Sequence, residues 1–228
     1  MWESEKIRGD NMKKEIKNFI ISSDNELSYI EEIIEYLDDC STYILKFFGL
    51  EEIPNKVNVV IWDDIDKYRE HIEKYYEYKS YMIADTNDGN INLLDINVAQ
   101  KYTEHTNLDI KRLKTTICHE FVHICQQNLE AEQIETDIYW FWEALATNLG
   151  NPDNFSVINF DISPKELKEF NNVKNNYNIA FTIGKYMLSN IPHDTLIEYI
   201  KYPSKLKLDE SKIISNAIIW SNQSQKIK

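Results

Sequence analysis

Basic residues are in the minority: 25 Lys and Arg against 38 Asp and Glu give a formal net charge of −13. A chain of that sign repels nucleic acid and anionic membrane and offers phosphates no basic stripe, so neither is expected as a partner. Cysteine is sparse and odd in number, at Cys40, Cys118 and Cys125. With no framework spacing to suggest a disulfide-stapled module, reduced thiols are expected. Cys118 and Cys125, on one helical stripe, are expected to be plain core packing. No window approaches the roughly 18 apolar residues of a membrane span, and residues 1 to 6 carry no apolar run, so a cytoplasmic location is expected. Glycine and proline number only five each, and no repeat or low-complexity linker marks off a second domain.

What is present suits a globular chain. Hydrophobic residues make up 43% of 228, enough for a sizeable core and most simply one domain. Met12-Lys13-Lys14 reads as a second possible start, so residues 1–22 are expected as an N-terminal extension, with 1–11 poorly ordered. The domain proper is expected over 23–228. Ser23 and Glu26, spaced as a capping box, introduce Leu27, Ile30, Ile33, Ile34, Leu37, Ile44, Leu45 and Phe48 at helical spacing, stopped at Gly49. Val57 to Trp62 reads as a strand, and Asp63-Asp64 opens a helix with Ile65, Tyr68, Ile72 and Tyr75 on one face.

A hairpin is expected over 80–95, its arms at 81–84 and 91–94 and a tight turn at Asp88-Gly89, where glycine tolerates positive φ. If the second arm is a sheet edge, an extended peptide could add to it by main-chain hydrogen bonds. Asn90 and Asn92 are then the candidate substrate contacts. The plain alternative is an ordinary hairpin within a twisted sheet.

From Asp109 to about Leu129 the apolar positions mark a helix that carries His119-Glu120-Phe121-Val122-His123. Two histidines four residues apart lie one turn from each other on one helix face, so both imidazoles can reach one metal ion. Glu120 follows the first of them and is placed to take a proton from a metal-bound water. Phe121 and Val122 are expected to turn into the core. Further on, Thr136-Asp137 is expected to cap a second helix over 139–149, closed by Gly150. Its one acid, Glu143, stands among Trp, Phe, Leu and Ala, where a bare carboxylate is costly unless a metal or a counter-charge meets it. Zinc would do so, and an ion pair with a lysine or a solvent-facing stripe would do so too.

His119-Glu120-x-x-His123, followed by Trp140-x-x-Glu143-Ala144-x-Ala146, resembles the gluzincin metallopeptidases. The resemblance covers 115–149 as motif and 57–190 as order of elements. It departs at Ala144, where glycine is common, and at Thr147, where an acid often follows. It implies an α+β fold: a small twisted mixed sheet with an edge strand beside the active-site helix, then a mainly helical C-terminal half, divided near residue 130. It also implies Zn2+ held by His119, His123 and Glu143, with Glu120 as general base and a peptide or protein as substrate. In that family a downstream tyrosine or histidine helps to stabilise the oxyanion, which makes Tyr177 the candidate and His193 the second choice. The remaining alternatives are a zinc-binding domain that holds peptides without cleaving them, and a pentad arisen by accident in a helical binding protein. Ser163-Pro164-Lys165-Glu166 reads as a helix start, 173–190 as a helix whose Gly184 permits close packing, and 194–201 and 210–221 as two short terminal helices.

Overall fold

A computed structural model describes residues 12–87, 89–132 and 138–224. The chain is α+β, a five-stranded mixed sheet in its first half and a helical second half. It forms two compact units. Unit 1 takes residues up to Ser41 and Glu52–Ile117, and unit 2 takes Thr42–Glu51 and Cys118–Lys228. The division therefore falls inside the pentad helix, just before His119, and not near residue 130.

Unit 1 holds the strands β1 (Met12–Glu15), β2 (Phe19–Ser23), β3 (Val57–Trp62), β4 (Ala84–Asn87) and β5 (Asn90–Leu94), in the order β1-β2-β3-β5-β4. β2, β3 and β5 run parallel, while β1 and β4 are antiparallel to their neighbours. Alternation sorts the sheet into two faces. Phe19, Ile21, Val57, Val59, Ile61, Ile91 and Leu93 are all buried and make the apolar one.

Residues 12–22 are thus part of the sheet and not an extension. Met12, Phe19 and Ile21 are buried, and β2 is an interior strand. The lysines around them mask a short alternating pattern. Residues 1–11 lie outside the described residues. Ser23 ends β2 in register with Met12, so the expected capping box does not form. The helix α1 (Ile30–Phe48) begins later, with Glu31 and Glu32 in its first turn. Its end is as read: Gly49 takes φ +67°, and Leu50 N–H closes on the Leu45 carbonyl at 2.9 Å.

The hairpin forms with Asn87 opposite Asn90 and Gly89 at φ +71°, Asp88 lying outside the described residues. Its first arm begins at Ala84, three residues past the expected start. Among the described strands β1 and β4 are the edges. β5 is paired on both sides, so its backbone cannot accept an added peptide strand. Asp64 caps α2 (Ile65–Ile72), and Asp95 caps α3 (Ile96–Tyr102), a helix that separates β5 from the pentad helix. Next comes α4 (Ile110–Leu129), which starts in unit 1.

Unit 2 adds α5 (Tyr139–Leu149), α6 (Pro164–Leu167), α7 (Asn176–Asn190), α8 (His193–Lys201) and α9 (Pro203–Ser224). The Ser163 and Glu166 capping box is formed as read, whereas the expected Thr136-Asp137 cap lies outside the described residues. α9 runs to 22 residues, far longer than the 210–221 expected from its apolar positions. Trp140 Nε1 donates to the buried Glu210 carboxylate at 3.0 Å, tying α9 to α5. Gly184 of α7 faces α5 so closely that a Cβ there would sit 2.2 Å from the Ala144 carbonyl oxygen. The reading of close packing holds for the Glu143 helix. Cys40 and Cys118 are disulfide-bonded, against the expectation of reduced thiols, and Cys125 is free and buried. None of the helices among the described residues is long and apolar enough to cross a membrane.

Candidate metal centre

His119 and His123 share one face of α4, as their spacing requires, and Glu143 on α5 meets them. All three are buried, and one ligand-type atom from each lies within 4.8 Å of the others. His119 Nε2 and His123 Nε2 are 3.2 Å apart, and they lie 3.2 and 3.5 Å from Oε2 and Oε1 of Glu143. Two imidazole nitrogens and a carboxylate thus converge on one point.

Each histidine is held from behind. Nδ1 of His119 lies 3.1 Å from Asn151 Oδ1, and Nδ1 of His123 lies 2.8 Å from Gln126 Oε1. Gln126 is itself fixed, because its Nε2 donates to the Trp142 carbonyl at 3.2 Å. That bond turns the amide oxygen toward His123. An amide oxygen only accepts, so Nδ1 carries a hydrogen and Nε2 is the nitrogen turned toward the shared point. This is the outer arrangement that orients histidines as metal ligands. Trp142, 3% exposed, stacks on His123 with ring centres 6.3 Å apart.

The fit of a cation can be judged from Glu143. It is 2% exposed, and among the described residues its Oε2 has the ion-pair approach of His119 Nε2 at 3.2 Å but no hydrogen bond. A buried, under-satisfied carboxylate oxygen is costly, and a bound cation would satisfy it directly. The electrostatics of the metal-free cluster agree. Burial works against the charge of Glu143, yet the His123 and His119 rings hold its carboxyl well below the usual range. Burial likewise disfavours a charged His123, but the Glu143 carboxylate outweighs it and the pKa is pushed up to about 9. His123 and Glu143 already behave as a charge-compensated pair, with a proton where a metal would bind.

Glu120 is half-buried, and its charge acts on both His123 and Tyr139. Tyr139 stands one turn before Glu143 on α5, near enough for that carboxylate to act on its hydroxyl. The Glu143 charge and burial push the phenol well above its ordinary pKa. Tyr177 is in the same neighbourhood. Its ring packs on Phe155 and on the edge of Phe170, Phe170 in turn touches Tyr139, and the Tyr177 hydroxyl contributes to the field at Tyr139. His193 is engaged elsewhere: Nε2 meets the Phe47 carbonyl at 2.6 Å, and the ring packs edge-on against Phe47. Asn90 and Asn92 belong to unit 1, on the polar face of β5.

Three participants were not singled out from the sequence, although two of them carry a local signal. Tyr139 was legible as the residue four before Glu143. Gln126, three after His123, was legible in the same way. Asn151 was not, because it follows the helix end and its reach to His119 depends on how the α5 terminus meets α4. There Gly150 approaches so closely that a Cβ would lie 2.4 Å from His119 Cα. Compared with protein families and curated proteins, the chain matches no family model and no curated sequence.

Proposed function

We propose that the chain is a zinc-dependent peptidase of the gluzincin type. The observation that carries this reading is the convergence of His119, His123 and the under-satisfied Glu143 carboxylate, with both histidines oriented from behind by amide oxygens. Two histidines and one carboxylate form the donor set of catalytic zinc sites, in which three protein ligands leave one position for water or substrate. Zinc bound there would acidify a water and polarise a peptide carbonyl.

The chain's own groups would do the rest. Glu120 takes a proton from the attacking water and returns it to the leaving amine nitrogen. Tyr139 or its neighbour Tyr177 donates its O–H to the oxygen on which charge develops. Asn151 and Gln126 keep the histidines in the one tautomer that presents Nε2. The substrate is a peptide or protein. A non-reducing compartment fits the disulfide-bonded Cys40 and Cys118 better than the expected cytoplasm.

The test is purified protein loaded with one equivalent of zinc and offered a mixed peptide library, next to Glu120→Gln. Cleavage is expected from the parent, with a loss of at least about a hundredfold in the variant at unchanged zinc content. Undiminished cleavage by Glu120→Gln would sink the mechanism. Stoichiometric zinc without any cleavage would favour the peptide-holding module instead.

A further inference from the structure

The polar face of the sheet in unit 1 breaks a local rule. Asparagine is depleted in strands, because its side chain competes with the ladder for backbone partners. Yet Asn58, Asn87, Asn90 and Asn92 all lie in β3, β4 and β5 and line one cavity of about 360 Å³ on this face. A merely solvated face would more ordinarily carry Thr, Lys or Glu, and a local preference overridden several times in one place marks a functional surface.

These groups are fixed in orientation. Asn58 Nδ2 donates to Asn90 Oδ1 at 2.8 Å, and Asn87 stands opposite Asn90 on the next strand, so three carboxamides form a row across three strands. One row on, Trp62 Nε1 donates to Oδ1 of Asn92, which is only 3% exposed, and Asp85 stands opposite Asn92 on β4. Asn87 donates to Asp85, and the Tyr76 hydroxyl donates to Asn87 at 3.3 Å. Above the rows, His71 lies between Trp62, with ring centres 5.5 Å apart, and Tyr75, at 5.6 Å, with Nε2 3.5 Å from Asp85. Tyr75 lines the cavity and remains 46% exposed.

The lining selects a class of ligand. Among the described residues of the lining Lys13 is the one formal cation, so an anion gains little, and the amides and Ser22 interleaved with Ile20 and Val60 make a mixed surface that suits neither a lipid nor a wholly apolar side chain. Rigid carboxamides present a donor and an acceptor in one plane, which matches pairs of adjacent hydroxyls, and an exposed phenol ring covers the C–H face of a sugar. The volume lies at the lower end of small-ligand sites, about 300–1,000 Å³, and suits one or two sugar rings. We propose that this face of unit 1 binds a neutral saccharide, independently of the metal centre.

The full-length protein, with and without zinc, is titrated with three neutral disaccharides, maltose, lactose and N,N′-diacetylchitobiose, while amide NMR shifts are followed. Saturable shifts confined to β3, β4, β5 and the His71–Tyr75 segment are expected with at least one sugar, at millimolar affinity or better and alike in both metal states. Tyr75→Ala and Asn90→Ala change part-exposed side chains and should leave the far-ultraviolet circular dichroism unchanged while weakening binding at least about tenfold. Absence of saturable binding by all three sugars overturns the proposal. So does binding that both variants retain, or saturation of the same residues by inorganic phosphate or a tripeptide in place of sugar. Failure here leaves the zinc reading untouched, since that is judged on metal content and peptide cleavage.

Discussion

Gly150→Ala sets local preference against packing, with opposite signs. Gly150 ends α5 at φ −90° and ψ −41°, a right-handed conformation that alanine adopts freely. Local preference alone therefore favours alanine by up to about 0.5–1 kcal/mol. The packing says otherwise. A Cβ at 150 would lie 2.4 Å from both Cα and N of His119 and 2.7 Å from the Cys118 carbonyl carbon, and all three are backbone atoms that no rotamer change can move. Restoring ordinary contact at 3.4 Å requires a shift of about 1 Å between the end of α5 and α4. Overpacking of this kind costs about 1–3 kcal/mol, so after that offset a net loss of about 1 kcal/mol is expected, or roughly 2–4 °C in Tm for a chain of this size.

The same shift separates Asn151 from His119 and moves the helix that carries Glu143. Metal sites tolerate displacements of only about 0.5 Å, so zinc affinity should fall at least about tenfold. Gly49→Ala is the control. At φ +67° with nothing near its Cβ position, it should cost about 1 kcal/mol through backbone strain yet leave zinc affinity alone. Differential scanning calorimetry of the metal-free proteins and competition of the zinc forms against a chelator measure the two effects. A Gly150→Ala protein that melts at or above the parent, with unchanged zinc affinity, would refute the reasoning.

Removing the amide behind His123 in Gln126→Met should lower zinc affinity about 10- to 100-fold while the fold survives, as judged by competition titration; an unchanged affinity would mean that the Nδ1 contact orients nothing. In the metal-free protein the folded pKa of His123 is about 9 against an ordinary 6.5, so its contribution to stability is fully present below about pH 6.5 and lost as pH rises through 9. Urea unfolding should accordingly weaken across that window without zinc and strengthen with it, because metal binding needs the unprotonated ring; metal-free stability that rises from pH 7 to 9 contradicts the pairing with Glu143. Burial pushes the Cys125 thiol up to about 12, so a thiol reagent at pH 8 should find no fast-reacting cysteine in the native protein, one after unfolding without reductant, and three after reduction; three in the unfolded, unreduced protein would remove the disulfide.

Much of the framework was legible because it follows from local periodicity. The run Val57 to Trp62, the turn at Gly89, the Gly49 stop and the Ser163 cap are set by neighbours within a turn or a pleat, and the structure has them where the residues put them. Elements whose signal is diluted went astray. β1 and β2 are short and flanked by lysines, and α9 alternates charged and apolar residues without a clean stripe.

The pairing of His119 with His123 on one face was decided by sequence alone, since helical geometry allows a four-residue spacing no other arrangement. That Glu143 faces them was not. It depends on the rotation and depth of α5, which Gly150 sets against α4 and Gly184 against α7 by letting backbone approach backbone. The sequence showed a buried acid in need of a counter-charge, and only tertiary packing chose two histidines to meet it. In the same way an alternating strand pattern showed Asn90 and Asn92 sharing a face. Strand order, a long-range outcome of which edges pair, placed them inside the sheet beside Asn58 and Asn87 and gave the hairpin's exposed edge to its first arm, not its second.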